Sequence, residues 1–133
     1  MLVTRAAVAD DLPFVFNSFT LEYARSIFAE GMSRVAIRQL IVNYVLDYRW
    51  KVRILIDDET PDEIIGYVIF KDETHVAWLY VKGIYRRKGL ASRLLHDICV
   101  AKGPIKATFI PSPDFSRKAR SKGWNLLHRP WQT

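Results

Sequence analysis

Three short runs in the middle of the chain, VRILI (52–56), IIGYVIF (64–70) and HVAWLYV (75–81), are rich in β-branched and aromatic residues and are separated by the polar segments DDETPDE and KDET. Such runs predict three consecutive strands, and connections this short make them an antiparallel meander. The second and third runs are apolar almost throughout, whereas a strand with one wet face would alternate. Both faces of the sheet must therefore be covered, which calls for helices on each side.

The flanking sequence supplies those helices. LVTRAA (2–7) reads as a strand, and DDLP offers Asp10 or Asp11 as a helix cap with Pro13 in the first turn. The aromatic-rich stretch from Phe14 to Phe28 is helical or part-helical, and Gly31 ends it. Ser33 caps a second helix in which Ile37, Leu40, Ile41, Tyr44, Val45 and Tyr48 form an apolar stripe. After KGIYRRKG the period returns to 3.6, with Leu90, Ala91, Leu94, Leu95 and Ile98 inward and Ser92, Arg93, His96 and Asp97 outward, so a helix runs from about 89 to 101 and Gly103 closes it. PIKATFI (104–110) is another strand, PSPDFSRKARSKG a short Pro-started helix ended by Gly123, and WNLLH a last strand. The order β-α-α-β-β-β-α-β-α-β makes residues 1–133 one α/β domain, a mixed, mainly antiparallel sheet flanked by helices on both faces.

Several chemistries are disfavoured by composition. A single cysteine, Cys99, allows no internal disulfide, and His75, His96 and His128 lack metal-ligand spacing, so no metal is expected. No apolar run is long enough to span a bilayer, and acidic residues stand where a signal peptide would be apolar, which predicts a cytoplasmic protein without membrane contact. The net charge of +6 is uneven. Residues 1–81 hold 8 Lys+Arg against 12 Asp+Glu, or −4, and residues 82–133 hold 12 against 2, or +10. The C-terminal part attracts anions, as a nucleic-acid footprint, a cofactor site or a merely solvated surface all would.

The densest charge lies in YRRKGLASRLLH (85–96). A strand ending at Val81, a short loop and a helix starting near Gly89 bring several unpaired backbone N–H groups to one point, with a positive helix end behind them. Gly89 and Ala91 let an anion approach the backbone, and Arg86, Arg87 and Lys88 surround it with charge. A solvated basic loop would carry the same residues. The segment is neither a Walker loop nor a dinucleotide fingerprint, because the Gly-Lys-Ser/Thr ending and the three glycines are missing.

The run LYVKGIYRRKGLASRLLH (79–96) resembles the acetyl-CoA-binding motif of the GNAT superfamily of N-acetyltransferases, Arg/Gln-x-x-Gly-x-Gly/Ala, here Arg86-Arg87-Lys88-Gly89-Leu90-Ala91. The element order fits that fold along nearly the whole chain, and SRKARSKGW resembles the family's final helix-turn. The resemblance implies acetyl-CoA as co-substrate, its pyrophosphate held by the amides from Arg87 through Ser92, Leu90 and Ala91 included, with Arg86, Arg87 and Lys88 nearby. It implies a pantetheine arm bonded to the backbone of Leu79, Tyr80 and Val81, with ATFI (107–110) as the splayed neighbour, and a thioester carbonyl polarised by an N–H near Leu79.

The implied reaction is direct attack of a primary amine on the thioester; the acceptor could be a small molecule, a peptide, or a protein lysine or N-terminus. Two departures from the family concern its proton carriers. The usual acid, a tyrosine four residues before the final glycine, falls on Ala119, and the frequent asparagine falls on Ser112. Ser116 and Tyr80 are the alternative acids, and Glu73, His75 and Glu22 the candidate bases, each also readable as a solvated or structural residue. A GNAT-fold binding module acting on a protein partner and a nucleic-acid or tRNA-associated protein are the competing readings. The resemblance is compatible with a monomer or with a homodimer through WNLLHRPW (124–131).

Overall fold

Each of the three central runs forms the expected strand, and the meander is extended on both sides. The computed structural model of the chain describes residues 1–25, 29–47, 49–72, 75–98, 103–107 and 124–128; residues 72, 75, 97, 98, 103–107 and 124–128 are described by their backbone alone. The strands are β1 (Leu2–Ala6), β2 (Lys51–Asp57), β3 (Thr60–Asp72), β4 (His75–Val81), β5 (Gly103–Ala107) and β6 (Trp124–His128). They form one six-stranded sheet in the order β1-β2-β3-β4-β5-β6, antiparallel from β1 to β4 and parallel from β4 to β6. Among the described residues the α-helices are α1 (Leu12–Ala24), α2 (Arg34–Asp47) and α3 (Leu90–Ile98); the short helix expected in PSPDFSRKARSKG lies outside them.

Two apolar layers confirm that the sheet is covered on both faces. On one face Val15, Phe19 and Tyr23 of α1 and Ile37, Ile41 and Tyr44 of α2 pack on Ile54, Ile56, Tyr67 and Ile69. On the other, Leu90, Leu94 and Leu95 of α3 pack on Leu55, Ile65, Val68, Val76 and Val81. Alternation along β2 deals Ile54 and Ile56 to the first layer and Leu55 to the second, so one run of sequence feeds both cores. Burying these side chains, at roughly 1.5–3 kcal/mol each, drives the fold.

Local signals decide the helix ends. The Ala36 N–H donates to Ser33 Oγ at 3.1 Å and the Ile37 N–H to the Ser33 carbonyl at 3.0 Å, the N-cap expected of Ser33. Gly31 takes a left-handed φ of 79° before it. α1 stops at Ala24, short of the expected Phe28, which lies outside the described residues, as do Tyr48 and Cys99. Leu40, at the edge of the α2 stripe, is 37% exposed. Ser92, expected outward, is buried because it sits one helical turn from Leu95 and shares its face. The segment 60–63, expected as part of a turn, already belongs to β3: the hairpin turn is only Asp58 and Glu59, with the Glu59 N–H donating to Asp57 Oδ1. Among the described residues no helix is long and apolar enough to cross a membrane.

Asp11 precedes α1 as expected, yet its carboxylate does not cap the helix. It accepts two hydrogen bonds from Arg5, at 2.7 and 3.0 Å, and a third from the Val8 N–H at 2.8 Å, tying β1 to the start of α1. The Arg5 hydrogen bonds, helped by the Val8 amide and opposed by burial, hold the Asp11 carboxyl below its ordinary value of 3.8. A carboxylate whose folded value is depressed stabilises the protein above the unfolded value and loses that contribution as pH falls through the folded one. Asp11→Asn should therefore cost about 1–2 kcal/mol at neutral pH, Arg5 being partly solvated, and the difference from the unaltered protein should shrink in strong acid. Urea unfolding of both proteins from neutral to strongly acid pH measures this; a constant difference would contradict it.

Candidate functional site

The C-terminal end of β4 is where backbone, charge and aromatic rings converge. β3 and β4 are paired with a defect: Ile69 opposes Trp78 and Phe70 opposes Val76, so Ala77 is an extra residue and β4 bulges there. The bulge places Ala77 and Trp78 on the same face, toward α1 and α2, where strict alternation would separate them. Trp78 stacks on Phe19 with centroids 4.5 Å apart. Leu79 then turns to the α3 side and Tyr80 back to the α1 side. On its other edge β4 meets β5 only through His75↔Lys106 and Val76↔Ala107. Among the described residues, Ala77 to Val81 have no strand partner on that edge.

Gly66 fixes how closely β4 lies against β3. It opposes Val81, and a Cβ built on it would stand 2.5 Å from the Tyr80 carbonyl oxygen. One residue past the strand, the Lys82 N–H still donates to the Ile65 carbonyl at 2.9 Å. The chain then makes one 3-10 turn over Gly83–Tyr85, closed by Tyr85 N–H to the Lys82 carbonyl and Arg86 N–H to the Gly83 carbonyl. Arg87 and Gly89 follow with φ of 65° and 76°, left-handed residues of the kind that turn successive amides into one concavity. The Arg93 N–H donates to the Gly89 carbonyl, starting α3 and leaving the amides of Leu90, Ala91 and Ser92 with no carbonyl one turn behind them. Nothing lies within 4 Å of the position a Gly89 Cβ would take. Amides without helical partners at a positive helix end, with open space beside Gly89, suit an anion.

The basic side chains here do not all point the same way. The Arg86 Nε–H donates to the Val81 carbonyl at 2.8 Å, its guanidinium lies 5.8 Å from the Tyr80 ring centroid, and Nη2 is 3.7 Å from Glu22 Oε1 on α1. Lys82 lies over the Phe14 ring and 3.8 Å from Glu63, whose carboxylate also accepts from the Tyr85 hydroxyl. That hydrogen bond, with burial of the ring adding to it, raises the Tyr85 phenol above its ordinary value. Arg87 and Lys88 are exposed, and Lys88 lies 5.9 Å from the Tyr85 ring.

Behind the site stands an aromatic wall. Tyr80 stacks on Tyr67 with centroids 5.2 Å apart, and Phe14 meets both rings edge-on. The Tyr67 hydroxyl is buried 2.7 Å from Ser18 Oγ and 3.1 Å from the Val15 carbonyl, and burial drives its phenol upward, so it is a structural hydroxyl. Of the residues expected to carry chemistry, the fold brings Glu22, Tyr80 and Arg86 together. His75 opens β4 five residues before Tyr80, roughly 17 Å away along a strand. Glu73, Ser112, Ser116 and Ala119 lie outside the described residues. Sequence reasoning passed over Ser18, Glu63 and Tyr67; Gly66, a lone glycine inside a strand, was the legible sign of a close backbone approach.

Comparison with known proteins gives this site its context. The family model for the acetyltransferase (GNAT) domain matches residues 29–104, more than half of the chain and the whole of β2 to α3. The chain belongs to the GNAT acetyltransferases. A protein of Pyrococcus furiosus classed with the acetyl transferases shares the fold with a TM-score of 0.70 at 12% identity, covering 100% of this chain and 99% of that one. The phosphinothricin acetyltransferase of Sinorhizobium meliloti, solved in complex with acetyl-CoA, aligns with a TM-score of 0.61 at 19% identity, covering 92% and 74%. An acetyltransferase of Trypanosoma brucei aligns at 0.56 and 18% identity, covering 100% and 99%. No curated protein matches this GNAT chain in sequence.

Gly66→Ala should force β4 away from β3, because the atom it meets is backbone and cannot rotate aside. Denaturant unfolding should show a loss of about 1–3 kcal/mol, with a change in near-UV circular dichroism as the Tyr67–Tyr80 stack shifts. Unchanged stability would mean that the strands are not pressed together at this point.

Proposed function

We propose that this GNAT chain transfers an acetyl group from acetyl-CoA to a primary amine. The observation that carries the reading is the turn from Arg86 to Gly89, where two left-handed residues lead into the N-terminus of α3 beside an edge of β4 that has no strand partner among the described residues. In this reading the amides from Arg87 to Ser92 hold the pyrophosphate, and Arg87 and Lys88 add charge beside it. The backbone of Leu79, Tyr80 and Val81 hydrogen-bonds the pantetheine arm as an added strand would. The bulge at Ala77 aims backbone at the thioester end, where an N–H can meet the developing oxyanion.

The amine approaches from the α1 side, where Phe14, Tyr67, Tyr80 and Glu22 stand. Holding it against the thioester supplies much of the acceleration. The nitrogen forms its bond to the acyl carbon, the carbon–sulfur bond breaks, the amine gives up a proton and the departing thiolate takes one. Tyr80 is the described hydroxyl best placed along β4 for the second transfer. Support for an amine acceptor comes from the family and from the acidic balance of residues 1–81.

Calorimetric titration should show saturable binding of acetyl-CoA, weakened at least about tenfold in Gly89→Trp, since a side chain at that φ is strained by roughly 1–2 kcal/mol and fills the open space. Thiol release with a panel of primary amines should then identify acceptors. No binding by the unaltered protein would overturn the cofactor, and binding without amine-dependent thiol release would overturn the acceptor class.

A further inference from the structure

Two of the three side-chain nitrogens of the motif's arginine are engaged by β4 and α1. Arg86 Nε–H is used by the Val81 carbonyl at 2.8 Å, Nη2 leans toward Glu22 at 3.7 Å, and the guanidinium faces the Tyr80 ring. These three contacts join the last residue of β4, the aromatic wall and helix α1. Between Val81 and Arg86 the chain makes a four-residue excursion, and the side-chain bond to Val81 closes it. The next residue, Arg87, is the first left-handed one. The direction in which the turn presents its amides is therefore set where Arg86 is clamped.

We infer that Arg86 is a positioning residue for the phosphate turn, not a phosphate ligand, and that Glu22 on α1 is its anchor, not the base of the reaction. The inference rests on the acetyl-CoA reading and adds a coupling to it: the helix bordering the amine side holds the turn that grips the cofactor. Charge alone makes the opposite forecast at both positions. An arginine that merely attracts phosphate is replaceable by lysine, and a carboxylate near a phosphate site weakens anion binding, so its removal should tighten it. A clamp needs the planar Nε–H donor, which lysine lacks, and needs its carboxylate partner.

Acetyl-CoA is titrated calorimetrically into the unaltered protein, R86K, R86Q, E22Q, the E22Q/R86Q double variant and K88Q, at low and high ionic strength, each variant first checked for cooperative thermal unfolding. R86K should bind roughly tenfold more weakly although its charge is kept, as loss of a charge-assisted hydrogen bond implies. E22Q should bind roughly threefold more weakly, the size of a partly exposed ion pair, and the double variant no more weakly than R86Q alone. The salt dependence of binding should persist in R86Q and diminish in K88Q. Binding by R86K equal to the unaltered protein, or tighter binding by E22Q, would overturn the inference and leave the acetyl-CoA reading standing. Failure of the unaltered protein to bind acetyl-CoA would remove both. Should R86Q and R86K not fold, E22Q alone decides by the sign of its effect.

Discussion

Close contact between β3 and β4 at Gly66 governs the rest of the molecule. Without a side chain there, the backbone of Tyr80 and Val81 can lie against β3, and the pairing carries on to Lys82 before the chain departs. That point of departure sets where the 3-10 turn, the two left-handed residues and the first turn of α3 stand. The bulge at Ala77 adds the complementary feature upstream, rotating Trp78 into the helical layer while Leu79 and Tyr80 resume alternation. Between the pinned end and the bulge, β4 has an edge without a strand partner among the described residues.

Electrostatics at this end of the sheet are organised by pairing rather than by net charge. Two cations, Lys82 and Arg86, face carboxylates, Glu63 and Glu22, and lie over aromatic rings. Arg87 and Lys88 have no carboxylate within ion-pair distance among the described residues, so the attraction for an anion is concentrated on the turn itself. The carboxylate pairs are partly exposed and each contributes little to stability. Their effect is on direction: they decide which basic side chains face solvent and which face the α1 side.

Much of the fold was legible because it depends on local chemistry. Ser33 capped its helix, the apolar runs became strands covered on both faces, and the 3.6 period after Gly89 became α3. Legibility failed where a residue's role depends on a partner distant in sequence. Asp11 looked like a helix cap until Arg5 took its carboxylate. Ser92 looked solvated until it shared the face of Leu95. Tyr67, one letter in an apolar run, gave no sign that its hydroxyl would find Ser18 on α1.

The sequence by itself determined the order of elements, the two-faced burial of the sheet, the glycine turn ahead of α3 and the membership of a family built on that turn, since each rests on periodicity, capping or backbone permissiveness within a few residues. Tertiary structure alone decided the bulge at Ala77, the side of β4 on which Tyr80 lies and the turning of Arg86 toward Val81 and Glu22. These depend on register between strands and on the approach of α1 to β4, and contacts between residues tens of positions apart exist only once the two cores have closed on the sheet.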